Sequence, residues 1–116
     1  MRIAGIFAAV LALPAWAQDW NLRGSDEALS AEEIGTSVVG RTLTFYDDGQ
    51  SKFSAGGSYS YTYGGGGTAF GTFEVGADGV ICISYANGWS RCDKYVRSGD
   101  RLVVLTEDGE RYPVRN

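Results

Sequence analysis

The stretch Gly79–Val96, GVICISYANGWSRCDKYV, contains both cysteines of the chain, Cys82 and Cys92. Apolar and aromatic residues flank the segment Ala86-Asn87-Gly88, a turn signal that lies between the two cysteines. Such a pattern is typical of a β-hairpin. We therefore interpret this stretch as a hairpin around which the other strands pack.

Two loop lengths fit this hairpin, and the cysteines decide between them. A two-residue turn offsets the cysteines by one position, which places their side chains on opposite faces of the sheet. A three-residue loop with Gly88 in the left-handed conformation pairs Tyr85 with Trp89 and Cys82 directly with Cys92. The sequence therefore predicts the three-residue loop and a disulfide between the cysteines.

The first residues have the order of a secretory signal peptide. Arg2 is a minimal positive region, residues 3–13 are a short apolar run, and residues 15–17 (AWA) form a small-x-small cleavage site before Gln18. The apolar run is too short to span a bilayer, which takes about 20 apolar residues. We expect residues 1–17 to be removed and the mature protein to be periplasmic or secreted, with no membrane insertion after cleavage.

The size and charge of the mature chain limit its organisation and its partners. After removal of 17 of the 116 residues, 99 remain, enough for one domain. Without Arg2, 9 basic residues against 14 acidic ones give a net charge of −5. This balance argues against nucleic acid and anionic membranes as partners. We expect a monomer whose partner is an unknown small molecule or protein.

The domain begins with a short helix. We expect residues 18–29 to form an irregular arm, with Trp20 docking on the domain, followed by a single β-domain at residues 30–116. Ser30 and Glu33 have the spacing of a capping box. They predict a helix that Gly35 limits to about two turns.

From residue 40 onward the chain is a series of short strands between glycine-rich turns. Beside the hairpin, we predict strands at residues 41–46, 50–54, 58–63, 68–75, 101–106 and 111–115. Seventeen glycines, 13% aromatic residues and short turns favour an all-β meander. We predict a small antiparallel meander of about seven or eight strands, closed or nearly closed into a lipocalin-like barrel, with one short N-terminal helix.

The sequence offers little catalytic chemistry. It has no histidine, which removes Ser-His-Asp and Cys-His nucleophiles and the commonest metal ligand. Cysteines that are paired in a disulfide also cannot act as thiol nucleophiles or as zinc ligands. We therefore expect no metal, no cofactor and no enzymatic activity. A carboxylate-based hydrolase that uses Asp47, Asp48 or Glu74 is a weaker alternative.

A row of tyrosines is the strongest candidate for a binding site. Tyr59, Tyr61 and Tyr63 alternate with small polar residues, so they share one face of a strand. If this face is inward, it is core or the wall of a small cavity, and we favour that arrangement. If it is outward, it is an aromatic surface for a sugar, a peptide or a protein. The possible binding surface comprises Tyr59, Tyr61, Tyr63, Tyr85 and Trp89, and we expect a non-enzymatic binding protein.

The spacing from Gly71 through Cys92 is G-x-F-x-V, a turn, V-I-C-I and a second cysteine at a hairpin end. It resembles a broad group of small uncharacterised secreted proteins of Gram-negative bacteria. In that group an L-S-x-x-E-I helix and a G-x-T segment precede a small β-domain. The matching residues are Leu29, Ser30, Glu33, Ile34, Gly40 and Thr42. The resemblance implies no specific activity.

The chain is also similar to periplasmic lysozyme inhibitors in size, secretion, disulfide content and barrel architecture. Some of these inhibitors have a loop reading S-G-x-x-Y that enters the lysozyme cleft. The nearest match is residues 55–59 (AGGSY), where Ala55 replaces the serine. This resemblance implies lysozyme inhibition as an alternative function, and the acidic net charge suits a basic lysozyme. An absence of inhibition by excess protein in a lysozyme assay would end that alternative.

Overall fold

A computed structural model describes residues 20–115, so the predicted signal peptide at residues 1–17 lies outside the described residues. Within the described part of the chain, no helix is long and apolar enough to cross a membrane. The elements in chain order are β1 (Asp26–Ala28), α1 (Ala31–Ser37), β2 (Thr42–Thr44), β3 (Gln50–Phe53), β4 (Ser58–Thr62), β5 (Thr68–Val75), β6 (Val80–Tyr85), β7 (Ser90–Ser98), β8 (Arg101–Thr106) and β9 (Arg111–Pro113).

The predicted all-β fold is confirmed. Strands β2 to β9 form one antiparallel sheet in chain order, which is a meander. The sheet curls until its two edge strands meet, where Phe45 after β2 forms a bridge with Val114 after β9. Beside that bridge the Arg115 N–H donates to the Thr44 carbonyl at 2.7 Å. The meander is therefore a nearly closed barrel, and this contact protects edges that would otherwise be exposed.

The hairpin of β6 and β7 has the predicted register. Cys82 lies directly opposite Cys92 and is bonded to it. The Tyr85 N–H donates to the Trp89 carbonyl at 2.7 Å, and Gly88 has a φ of 94°. The three-residue loop is therefore confirmed. The disulfide is on the outside of the barrel, because Cys82 is exposed and Cys92 is half-buried.

Helix α1 begins at the predicted capping box. The Glu33 N–H donates to Ser30 Oγ at 3.1 Å, and the Ser30 N–H donates to Glu33 Oε1 at 2.9 Å. The helix has seven residues, close to the predicted two turns, but it continues through Gly35. Burial is the reason, since Ile34 and Val38 on either side are fully buried in the core. This burial outweighs the cost of about 1 kcal/mol for a glycine inside a helix.

The arm before the helix contains a strand that the sequence did not predict. Strand β1 pairs with the second half of β7, and three residues are too few for a recognisable alternation. Arg111 of β9 donates two hydrogen bonds to the Asp26 carboxylate, at 2.8 and 3.0 Å. These bonds lower the pKa of Asp26 to about 2. Trp20 packs on a separate cluster of Val96, Val103 and Leu105.

The two ends of the barrel differ. Helix α1 and the turns after β3, β5 and β7 lie at one end, where the backbone at Gly79 closely approaches the carbonyl of Leu29. The middle is filled by Phe53, whose ring centroid lies 4.9 Å from that of Tyr59 and 5.1 Å from that of Phe73. The turns after β2, β4, β6 and β8 lie at the opposite end, because successive antiparallel turns alternate between ends. That end has no helix over it among residues 20–115.

Substitution of Ser30 by alanine is expected to lower the free energy of unfolding by about 1 kcal/mol, since the helix loses its N-cap. Urea denaturation measures the change. Glu32→Ala is the matched control, because Glu32 lies in the same first turn but outside the capping box. Equal losses in the two variants would contradict a role for the capping box in stability.

Candidate functional site

A cavity of about 470 Å³ lies at the end of the barrel opposite helix α1. This volume is within the usual range for small-molecule pockets, roughly 300–1,000 Å³. Aromatic side chains form half of its lining: Phe45, Tyr46, Tyr61, Tyr63, Tyr85 and Tyr112. They come from four segments of the meander, so closure of the barrel is what brings them together.

The structure places most of the predicted binding residues at this cavity. Tyr61, Tyr63 and Tyr85 line it. Tyr59 lies deeper and is 2% exposed, with its hydroxyl 2.9 Å from Ser51 Oγ. Trp89 is 73% exposed in the turn after β6 and is not among the lining residues. Tyr61, Tyr63 and Tyr85 therefore line one cavity, Tyr59 belongs to the core, and Trp89 lies outside the cavity.

Burial along the tyrosine row decreases toward the mouth of the barrel. Tyr59 is buried, Tyr61 is half-buried and Tyr63 is exposed. The Tyr61 and Tyr63 rings are 5.0 Å apart and nearly perpendicular, so they support one another as an aromatic pair. Burial raises the pKa values of Tyr61 and Tyr85. Their hydroxyls therefore stay protonated at neutral pH and can donate hydrogen bonds.

The floor of the cavity contains a charged pair that the sequence analysis missed. Arg91 and Asp93 occupy inward positions of β7, on the same face as the core residue Tyr95. Arg91 Nε lies 3.1 Å from Asp93 Oδ2. Arg91 Nη2 also reaches the Tyr59 hydroxyl at 3.5 Å. The pair thus joins the floor of the cavity to the buried Tyr59 hydroxyl.

The Asp93 carboxylate is poorly satisfied for so deep a position. The residue is 1% exposed, yet neither carboxylate oxygen accepts a hydrogen bond within the described chain. The contact with Arg91 brings opposite charges together but lacks the direction of a hydrogen bond. Buried carboxylates are normally hydrogen-bonded, so this one retains capacity to accept from a ligand.

Charge interactions at the floor keep the pair ionised at neutral pH. Burial raises the pKa of Asp93 to about 6, against the attraction of Arg91 and with a further increase from Glu107. For Arg91, burial alone would lower the pKa, but the charge of Asp93 raises it overall. The Arg91 side chain is 42% exposed, so its guanidinium can reach a ligand in the cavity.

Two glycines allow the cavity wall to close. A side chain at Gly49 would clash with the Tyr61 hydroxyl. A side chain at Gly64 would clash with the carbonyl of Asp47. The turn after β2 therefore packs directly on β4 and on the loop that follows it. This contact fixes Tyr61 and Asp47 at the wall of the cavity.

The carboxylates considered for hydrolysis do not converge. Asp47 lines the cavity, whereas Asp48 is paired with Arg115 at 2.8 Å on the surface. Glu74 is exposed on β5, opposite Cys82. Among residues 20–115, no group of three or more His, Cys, Asp or Glu side chains is placed to hold a metal ion. The residue that does accompany Asp47 at the cavity is Asp93.

The segment that resembles the lysozyme-inhibitor loop lies away from the cavity. Residues 55–57 belong to the turn after β3, at the same end of the barrel as helix α1. Tyr59 follows in β4, and its ring packs against Phe53 in the core. Lysozyme inhibition stays a prediction for the activity assay.

Comparisons with known proteins leave the site to be interpreted from its geometry. No protein family, curated protein or solved structure matches the chain. The resemblances to secreted β-domain proteins and to lysozyme inhibitors therefore stay predictions. The evidence on function is the cavity itself, with its aromatic wall and its charged floor.

Proposed function

We propose that the protein is an exported, non-enzymatic binding protein that takes a small molecule into the cavity at the end of the barrel. The observation that carries this proposal is the combination of a cavity of about 470 Å³ with a buried carboxylate that is ion-paired with Arg91 but accepts no well-directed hydrogen bond from the described residues. An end packed as core would contain neither. A ligand that fills the space and donates to Asp93 removes both defects.

The lining groups provide binding chemistry. Tyrosine rings offer large apolar faces and hydroxyls that can both donate and accept hydrogen bonds. Arg91 and Asp93 add a charged donor and a charged acceptor, whose hydrogen bonds are stronger than neutral ones. Among the described residues, the lining contains no histidine, cysteine or serine, and these are common nucleophiles or bases.

The walls are held in place by the barrel. Tyr61 and Tyr85 project from strands of the sheet, and Gly49 packs directly under the Tyr61 hydroxyl. Tyr85 also contacts the buried Tyr59 ring, with a centroid distance of 5.9 Å. A ligand therefore meets side chains that are already ordered, which lowers the entropic cost of binding. The external disulfide supports export, because such bonds persist in oxidising compartments.

A cavity-blocking variant tests the proposal. Thr106 lies opposite Asp93 and lines the cavity, so Thr106→Trp is expected to fill it. The probe is N-phenyl-1-naphthylamine, a neutral dye whose fluorescence rises in an apolar pocket. We expect saturable binding to the unmodified protein and an affinity lower by about tenfold or more in Thr106→Trp.

Thr72→Trp is the matched control, because Thr72 is exposed on the outer face of β5. It is expected to bind the dye like the unmodified protein. Thermal unfolding of both variants establishes that they are folded, since Thr106 Oγ1 also accepts from the Glu110 N–H. Absence of saturable dye binding, or equal affinity in all three folded proteins, would refute the proposal.

A further inference from the structure

The floor of the cavity presents a donor and an acceptor side by side. Arg91 uses Nε toward Asp93 and Nη2 toward Tyr59, which leaves further N–H groups of a side chain that is 42% exposed. Asp93 is buried and lines the cavity, and neither of its oxygens accepts a well-directed hydrogen bond from residues 20–115. Two adjacent hydroxyls of one ligand satisfy both groups, since one donates to the carboxylate and the other accepts from the guanidinium.

The walls favour a ring with apolar faces and polar edges. Tyr61, Tyr63 and Tyr85 present aromatic faces, on which the C–H face of a saturated ring can pack. Their hydroxyls add donors and acceptors around the same space. A purely apolar ligand would exclude water from these hydroxyls and would donate no hydrogen bond to Asp93, at a cost in free energy.

Among residues 20–115, the charged residues that line the cavity are one arginine and two aspartates. Arg91 and Asp93 are opposite charges 3.1 Å apart at the floor, and Arg91 is the exposed member of this pair. A cation that reaches the floor therefore approaches the Arg91 guanidinium first. An anion meets Asp47 on the wall and Asp93 at the floor. A neutral ligand avoids both repulsions.

We infer that the cavity binds a neutral saccharide ring, with its hydroxyls on Arg91 and Asp93 and its C–H faces on Tyr61 and Tyr85. This inference rests on the proposed binding function and specifies its ligand class. It assigns separate roles to the two parts of the site: the charged pair recognises hydroxyls, and the tyrosine wall supplies the apolar contact.

The test compares ligands of different charge by NMR titration of the amide signals. The neutral ligands are methyl β-glucoside, N-acetylglucosamine and cellobiose, while choline and benzoate represent cations and anions. We expect at least one saccharide to give saturable shifts at Tyr61, Arg91 and Asp93. Choline and benzoate are expected to shift none of these signals in a saturable way.

A double variant separates the two parts of the site. Arg91→Met combined with Asp93→Leu replaces the pair by apolar side chains, and for the buried Asp93 such a joint change is often neutral or stabilising. We expect this variant to lose saccharide affinity by about tenfold or more and to retain binding of N-phenyl-1-naphthylamine. Lys52→Met with Asp100→Asn, two exposed sites away from the cavity, is the control and is expected to retain both.

The outcomes distinguish this inference from the proposed function. Dye binding in the cavity without binding of any of the three saccharides would overturn the saccharide inference and leave the binding function standing. Saturable binding of choline or benzoate instead would do the same. Failure of dye and saccharides alike would overturn both. Saccharide binding that survives in the folded double variant would refute the roles given to Arg91 and Asp93.

Discussion

Replacement of both cysteines, as Cys82→Ser with Cys92→Ser, is expected to lower the free energy of unfolding by about 3 kcal/mol. The bond links residues ten positions apart, and it restricts the unfolded chain more than the folded hairpin. For a domain of this size, such a loss corresponds to a fall in melting temperature of roughly 12–24 °C. Thermal and urea unfolding measure the change, and reduction of the unmodified protein is expected to reproduce it.

Ser84→Ala with Ser90→Ala is the matched control. These serines form the next cross-strand pair on the outer face of the same hairpin, and both are exposed like Cys82. Loss of their hydroxyls is expected to change stability by less than about 0.5 kcal/mol. A cysteine-free variant as stable as this control would show that the disulfide does not stabilise the fold.

The same double substitution is expected to weaken ligand binding in the cavity. The disulfide joins the two strands that carry Tyr85 and Arg91, on the outer face of the barrel at the level of the cavity floor. Without it, the end of this hairpin is held by backbone hydrogen bonds and a short loop. We therefore expect weaker dye binding after reduction even at temperatures where the barrel stays folded.

Much of this fold was predictable because short alternating runs are separated by clear turn signals. The predicted bounds of β5 and β8, at residues 68–75 and 101–106, agree with the structure. The first and last predicted strands, 41–46 and 111–115, are longer than the observed β2 and β9. These two strands end where the barrel closes through the Phe45–Val114 bridge, a contact between distant residues that a local pattern does not reveal.

The charged floor was missed because the register of a hairpin does not identify its inward face. With Cys82 opposite Cys92, Arg91 and Asp93 must point away from the disulfide side. They share their face with Tyr95, so this face of β7 has a mixed composition that predicts neither burial nor exposure. The fully buried Ile83, which lies opposite Arg91, is the signal that identifies it as the inside.

The tyrosine row shows a different limit of prediction from the sequence. Alternation correctly predicted that Tyr59, Tyr61 and Tyr63 share one face, and that face is the inside of the barrel. Their burial, however, depends on position along the barrel axis. The row begins at Tyr59, which packs against Phe53 in the core, and ends at Tyr63 at the open mouth. It is therefore partly core and partly cavity wall. Core and cavity wall, the two possibilities for an inward-facing row, are thus successive positions along the same segment.

The second large effect is expected from Asp93→Asn, and it depends on pH. The Asp93 carboxyl has a pKa of about 6 in the folded protein against 3.8 for an ordinary aspartate, because burial disfavours its charge. At pH values below both pKa values, the carboxyl is protonated in both folded and unfolded chains. As pH rises between them, the unfolded chain releases its proton first, so the folded state loses stability. Asparagine does not titrate and escapes this loss.

The stability of Asp93→Asn relative to the unmodified protein is therefore expected to rise by about 3 kcal/mol between acidic and neutral pH. Urea denaturation across this range measures the difference, while other carboxyls such as Asp26 titrate in both proteins and cancel. Asp100→Asn, in the exposed turn after β7, is expected to follow the unmodified protein at every pH. If the free energies of unfolding of Asp93→Asn and the unmodified protein changed in parallel with pH, burial of the Asp93 charge would not destabilise the fold. A widening gap would show that the fold retains a destabilising carboxylate at the floor of its cavity, in agreement with the proposed binding function.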